Sequence, residues 1–236
     1  MVLGTSERSV NTDTHSPHAR SNSYFTSSYN LTTLARQYNA ASTYNNTTIT
    51  WNKYRYCYRA SCSASGDPHY NTFDHKVHNF MGNCTYTLSK VCTVSESLPY
   101  FEVSTTNEHR GANTKVSYVK SVHVEVYDNR ISLLKNKKVN VNGHRRNLPV
   151  FIEKKISIQS SGGYVLLETD FGLWVRYDGN HYAEVSVPSN YSSLLCGLCG
   201  NYNGNPNDDN IKSNGDIASN STDLGESWQV PENNTI

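Results

Sequence analysis

The chain is short of charge and of helix signal. Only 17% of its 236 residues are Asp, Glu, Lys or Arg, where about 25% is usual. The 21 Lys and Arg nearly cancel the 20 Asp and Glu, leaving a formal charge of +1. A near-neutral chain without a basic run lacks the electrostatic footprint of a nucleic-acid-binding protein. No stretch approaches the roughly 20 apolar residues that a membrane-spanning helix needs. No segment carries a ten-residue amphipathic helix, which argues against bundles and α/β folds. The first twenty residues hold Glu7, Arg8, Asp13, Pro17 and Arg20 and no apolar core segment, so no secretory signal peptide is visible. The chain is then expected to be either a fragment or a protein that is not exported. Cysteine is missing from residues 1–52 and again from 93–195.

What the chain does have is Asn, 28 in all, and Tyr, 17 in all. Residues 1–52 are rich in Ser, Thr, Asn and Tyr without a sustained period of 2 or 3.6, and are expected to be disordered. From Tyr54 the texture becomes short β-branched and aromatic runs divided by Gly, Asn, Asp and Pro, which is the strand pattern. Val122–Tyr127 alternates strictly, Asp128-Asn129 reads as a turn, and Ile131–Leu134 follows. Then come Lys138–Val141, an Asn142-Gly143 tight turn, Leu148–Ile152, Ile156–Ile158 and a Gly162-Gly163 break. Tyr164–Leu167, Phe171–Tyr177 and Tyr182–Val187 complete the series, with Asp178-Gly179-Asn180 turning between the last two. Strands at this spacing predict an all-β, antiparallel sandwich-like domain. No internal repeat recurs.

Cys57, Cys62, Cys84, Cys92, Cys196 and Cys199 lie at the two ends of the strand region. Bridges from the early set to the late pair would close loops of about 100 residues, each stabilising by roughly 4–5 kcal/mol in the chain-entropy account. Three readings compete for Cys196-x-x-Cys199. A zinc half-site needs a second pair at comparable spacing, and a redox pair belongs at a helix N-terminus in a βαβ unit. Structural disulfides to distant partners fit the pattern better than either. Asn-x-Ser/Thr acceptors stand at Asn30, Asn45, Asn46, Asn83, Asn190, Asn220 and Asn233; beside these cysteines they are candidate glycosylation sites of an extracellular protein.

Asn201, Asn203, Asn205, Asp208 and Asp209 place five oxygen-bearing side chains within nine residues, with Gly200 and Gly204 between or beside them. Hard oxygen donors on a turning backbone suit calcium. The EF-hand pattern does not fit, because the sixth position from Asn201 is Pro206 and the twelfth is Lys212. An Asn- and Gly-rich loop that needs no ion is the competing reading.

Cys62-Ser63-Ala64-Ser65-Gly66-Asp67-Pro68-His69-Tyr70-Asn71-Thr72-Phe73-Asp74, followed by Asn79–Leu88, resembles the opening of a von Willebrand factor type D domain. Cys196-Gly197-Leu198-Cys199-Gly200-Asn201-Tyr202-Asn203-Gly204 resembles that family's closing signature, and Gly225–Val230 its terminus. The frame covers residues 57–232. Phe101–Glu108, Ser117–Val124, Asn142–Arg145 and Val175–Gly179 are most similar to the zonadhesin-like branch. The resemblance implies an extracellular antiparallel β domain holding one Ca2+, with Asp74 as a distant ligand joined by Asn201, Asn203, Asp208 and Asp209, and Asn205 supplying a carbonyl. It pairs Cys62 with Cys199 and Cys92 with Cys196. It implies adhesion to extracellular glycoprotein or matrix, the egg coat being one candidate, alongside neighbouring modules of the same type. A mucus or matrix component similar to the IgG-Fc-binding or tectorin branch is the alternative.

Departures from the pattern matter. His75 stands where the family usually has Gly. Cys57 resembles the last cysteine of a preceding module and Cys84 one that pairs beyond the Trp228 region; with neither partner present, the two are expected to be unpaired or intermolecular, or else to pair with each other. Enzyme activity is not expected: His69, His75 and His78 lack metal-site spacing, and no Ser/His/Asp or Cys/His arrangement is recognisable. Two further possibilities attach to the resemblance. The Asp67-Pro68 bond is of the acid-labile kind, cleaved in some family members, and Cys196 with Cys199 is a candidate for thiol exchange during multimer assembly.

Overall fold

The computed structural model describes residues 58–231 and, ahead of them, the backbone of two antiparallel two-residue strands, β1 (Thr43–Tyr44) and β2 (Thr47–Thr48). Apart from these strands, the expected disorder over 1–52 lies outside the described residues, as do Cys57, Asn30, Asn45, Asn46 and Asn233.

From residue 58 onward, two antiparallel sheets share one apolar core. Seven strands form the first, in the order β11 (His144–Arg146), β10 (Lys138–Val141), β9 (Asn129–Leu134), β8 (Asn113–Val126), β7 (Phe101–Arg110), β6 (Thr85–Val91) and β17 (Leu195–Cys196). Eight form the second: β12 (Val150–Ile152), β13 (Ile156–Ser161), β14 (Tyr164–Thr169), β15 (Trp174–Tyr177), β16 (Ala183–Pro188), β3 (Arg59–Ser65), β4 (His69–Asn71) and β5 (Val77–Asn79). Alternation sets which face is covered. Val122, Val124 and Val126 of β8 are buried while Glu125 is exposed, and Val165 and Leu167 of β14 follow the same period of two. Burying each such side chain stabilises by about 1.5–3 kcal/mol. Across the core the Tyr177 hydroxyl of β15 donates to the Lys120 carbonyl of β8 at 2.8 Å, and the Asn107 amide of β7 donates to the Tyr70 hydroxyl of β4 at 3.1 Å.

The turns refine the sequence reading. Asn142-Gly143 does turn β10 into β11, with φ of 50° and 79°. The turn predicted at Asp128-Asn129 falls one residue earlier. Tyr127 and Asp128 carry the left-handed angles, at 51° and 57°, and Val126 pairs with Asn129. The Tyr127 ring packs edge-on against Phe171, and its hydroxyl donates to Asp170 at 2.7 Å, so tertiary contacts hold a conformation that tyrosine does not favour by itself. Of Phe171–Tyr177 only Trp174–Tyr177 is strand, because Gly172 turns at φ 94°. One helix, Ser221–Ser227, follows the strands, too short to leave an amphipathic signature. Its cap is Asn220, whose Oδ1 accepts from the Thr222 and Asp223 N–H groups at 2.9 and 3.0 Å.

Candidate metal loop and disulfide frame

Two disulfides tie the sheets to the loop that follows β17. Cys62 of β3 joins Cys199 and Cys92, just after β6, joins Cys196 of β17, with Cα separations of 5.6 and 5.8 Å. Cys62 and Cys199 are wholly buried. The chain from Cys196 to Cys199 docks on β6: Leu198 N–H donates to the Thr87 carbonyl at 3.1 Å and Cys199 N–H to the Leu88 carbonyl at 2.8 Å. Gly197 makes that approach possible. Its φ is 124°, and a Cβ there would lie 2.8 Å from the Leu88 carbonyl carbon, a position that neither side tolerates. Strand β6 shifts register between Thr87 and Ser89 at the docking point, as a bulge does. Cys84 is a free thiol, half-buried.

The Thr72–Lys76 turn is delivered to this loop by Phe73, which is buried and whose N–H donates to the Cys199 carbonyl at 3.0 Å. Thr72 closes the turn by accepting the His75 N–H at 3.1 Å on its carbonyl and the Lys76 N–H at 3.0 Å on its hydroxyl. His75 sits at φ 66°, exposed. That is the left-handed conformation in which Gly is unstrained and His is not.

Asp74 then reaches the 201–209 loop. Its Oδ2 accepts the Asn203 N–H at 3.0 Å and its Oδ1 the Gly204 N–H at 2.9 Å. Asn201 Oδ1 accepts from Asn203 N–H at 3.1 Å, and Asn203 Nδ2 donates to Asp208 Oδ2 at 2.7 Å. Asn205 caps the 206–208 turn by accepting from Asn207 N–H at 3.2 Å. Asp209 is almost wholly buried and accepts from the Thr72 hydroxyl at 2.5 Å and the Asn201 N–H at 3.2 Å. Gly200, at φ 77°, lies against the Asp209 carboxylate where any Cβ would collide with it. Hydrogen bonds therefore link Asp74, Asn201, Asn203, Asp208 and Asp209, five of the six residues read as ligands, in one constellation, while the Asn205 side chain is spent on the turn it caps. Thr72, which no ligand reading included, belongs to it as the partner of Asp209; its only signal was its place in Thr-Phe-Asp.

The electrostatics of the loop favour a cation. Asp74, Asp208 and Asp209 make no ion pair among the described residues. Burial pushes the Asp209 carboxyl up, the Asp74 and Asp208 charges push the same way, and the Thr72 and Asn201 hydrogen bonds pull back. Asp208 Oδ1 is buried without a hydrogen-bond partner, a costly state for a carboxylate oxygen unless a cation meets it. No three Asp, Glu, His or Cys side chains among the described residues converge on a point by themselves. A bound ion would therefore also need amide and carbonyl oxygens, which Asn201, Asn203 and the turning backbone provide. That oxygen-only donor set fits Ca2+.

The other predicted sites are separate from the loop. Asp67 and Pro68 lie in the turn between β3 and β4, and His69 Nε2 is 3.2 Å from Asp67 Oδ1. Asn83 and Asn190 are exposed, and Asn220 is exposed but spends its Oδ1 on the helix cap. Cys196 and Cys199 are both bridged, which leaves neither as a thiol.

A profile of the von Willebrand factor type D domain matches residues 62–216, and the chain belongs to that family. Among individual proteins, it is 53% identical to human zonadhesin over 174 residues, 73% of this chain. It is 46% identical to mouse alpha-tectorin over 174 residues, 72% of this chain, and 44% identical to human IgGFc-binding protein over 176 residues, 73% of this chain. The matched region spans only 6%, 8% and 3% of those proteins' own lengths.

Proposed function

We propose that this chain is an extracellular, calcium-stabilised adhesion and assembly module that binds glycoprotein of a matrix, and that it is not an enzyme. The observation that carries the reading is the meeting of Asp74 with the 201–209 loop, in which Asp208 Oδ1 is buried without a hydrogen-bond partner. A cation there would lock the Thr72–Lys76 turn to the closing loop and hold the outer surface of that end in one shape. Similarity to zonadhesin, with the adhesion in its name, makes the egg coat the first partner to try; a mucus or tectorial-type matrix is the alternative. The test is retention of the full chain on egg-coat, mucus and collagenous matrix preparations, in calcium and in chelator. Calcium-dependent retention on one of them is expected, and no retention on any would overturn the reading.

A second reading has its own observation, the His69 imidazole beside Asp67. In Asp-Pro cleavage the Asp67 carboxyl oxygen attacks its own backbone carbonyl carbon, and the C–N bond to Pro68 breaks as that nitrogen takes a proton. Water then opens the cyclic anhydride. The Cys62–Cys199 bridge spans this bond, so the fragments would separate only on reduction. Incubation at pH about 5–6 followed by reducing gels tests it; absence of a new Pro68 N-terminus removes it.

A further inference from the structure

Charge that cancels over the whole chain is sorted along the fold. From Asn129 to Gly163 there are eight Lys and Arg against one Glu, whereas from Tyr164 to Ile236 there are two against ten carboxylates. The basic block builds β9 to β13. Strand β11 is the outermost of one sheet and β12 the outermost of the other, and only residues 147–149 separate them. Both sheets thus end on the same open side of the domain, and that side is basic.

Some of these cations are neutralised. Lys135 pairs with Glu108, Arg130 with Glu125 at 3.0 Å and Lys155 with Glu153 at 3.7 Å. Lys137, Lys138, Arg145, Arg146 and Lys154 have no ion-pair partner among the described residues, and all five are exposed. Arg145 stands opposite Asn140 on the outer face. Arg146 stands opposite Val139, which is 1% exposed, so Arg146 shares the core-facing side yet reaches water at the rim. A single charge placed this way is enough to keep an edge strand from pairing with another chain. Five together repel one another and offset stability, so edge protection does not account for them.

We propose that this basic rim, formed by β10, β11 and the turn between β12 and β13, binds a sulfated polysaccharide. The groups project from strand edges and a turn rather than into a pocket, which suits an extended chain of repeated anions met one at a time. Guanidinium forks match the flat array of sulfate oxygens as they match phosphate. The proposal rests on the extracellular reading above, but it uses the side of the sheets away from β5 and β17, so it does not depend on calcium.

Binding of the full chain to immobilised heparin tests it. Retention is expected at about 0.15 M NaCl, with affinity falling about tenfold or more between ~0.05 and ~0.2 M. The Arg145→Glu/Arg146→Glu variant should lose at least about tenfold, while Lys115→Glu/Lys120→Glu, the same charge change at exposed positions on β8, should lose less than about twofold. If the first variant does not fold, Lys137→Gln/Lys138→Gln takes its place with a loss of about threefold or more. Hyaluronan, which has carboxylates and no sulfate, and vesicles containing phosphatidylserine should bind more weakly than heparin. Chelator and Asp74→Ala should leave heparin binding unchanged, which separates this proposal from the calcium reading. No heparin binding by the native chain, equal losses in the two charge-reversal variants, or tighter binding to vesicles than to heparin would each overturn it.

Discussion

Replacing Asp74 with alanine removes two contributions that respond differently to calcium. One is independent of any ion: the carboxylate accepts the Asn203 and Gly204 N–H groups at 3.0 and 2.9 Å and is 8% exposed. Hydrogen bonds to a charged acceptor contribute about 1.5–3 kcal/mol each, and the loop can rehydrate in part, so the loss in chelator should be about 2–4 kcal/mol. The other contribution is linkage. A site of extracellular-module affinity, about 0.1–1 mM, stabilises the native state by about 0.6–1.8 kcal/mol at ~2 mM calcium. Urea unfolding followed by tryptophan fluorescence, in calcium and in chelator, separates the two. The native chain should gain about 0.6–1.8 kcal/mol from calcium, and Asp74→Ala should gain almost nothing from a baseline already lowered in chelator. Asp74→Asn, which keeps one acceptor oxygen, should recover part of the ion-independent loss and none of the calcium increment. A variant that keeps the full increment, or a native chain without one, refutes Asp74 as a ligand.

Three further outcomes are expected. Burial first, and the Arg130 charge second, push His123 down to about 4, while its ring sits between the Ser132, Thr106 and Ser121 hydroxyls. The unfolded chain binds the proton near pH ~6.5, so this stability is intact above that pH and falls as pH drops from ~6.5 to ~4, by up to about 3 kcal/mol. In urea titrations over this range His123→Gln should show a shallower decline, and an unchanged slope would exclude the assignment. Gly197→Ala forces a Cβ against the Leu88 backbone and should cost more than about 3 kcal/mol or abolish secretion of folded protein; near-native circular dichroism melts would contradict it. His75→Gly relieves a left-handed residue at exposed φ 66° and should be neutral to about 1 kcal/mol stabilising, since relief of strain exceeds the added chain entropy. A loss of more than ~1 kcal/mol in chemical denaturation would mean that the imidazole has a role of its own.

Legibility in the sequence tracked how local each signal was. Apart from β11, which is His-Arg-Arg, and the two-residue β17, the strands from β9 onward could be read because valine, isoleucine and leucine alternate there with turns of Asn and Gly. The β7–β8 hairpin was visible only in its last third. Its buried positions include Ser104, Thr105, Asn107, Ser117 and Ser121, polar residues whose burial no hydropathy pattern announces. The loop at 201–209 declared itself because its oxygen donors are neighbours in the chain. Asp74 entered only through the family resemblance, since nothing around residue 74 points to a loop 130 residues away. The overall charge misled in a different way: +1 hides a strongly basic block and a strongly acidic one that nearly cancel, and only the strand order shows that the basic block occupies one side.

The Cys62–Cys199 bridge also decides how the domain would behave under tension. Force applied through the chain on either side would enter β3, cross the sulfur–sulfur bond and leave through residues 200–231. The 137-residue separation that it closes would stay out of the load path, hiding roughly 450 Å of extensible chain at about 3.3 Å per residue. Within that bypass the sheets cannot be unravelled end to end while the bond is intact. Loosening would be confined to the residues of β3 ahead of Cys62 and to residues 200–231, which include the Ser221–Ser227 helix and the loop where Asp74 meets residues 203–204. A module built this way would yield outside the bridge and keep its β core as a fixed-length link.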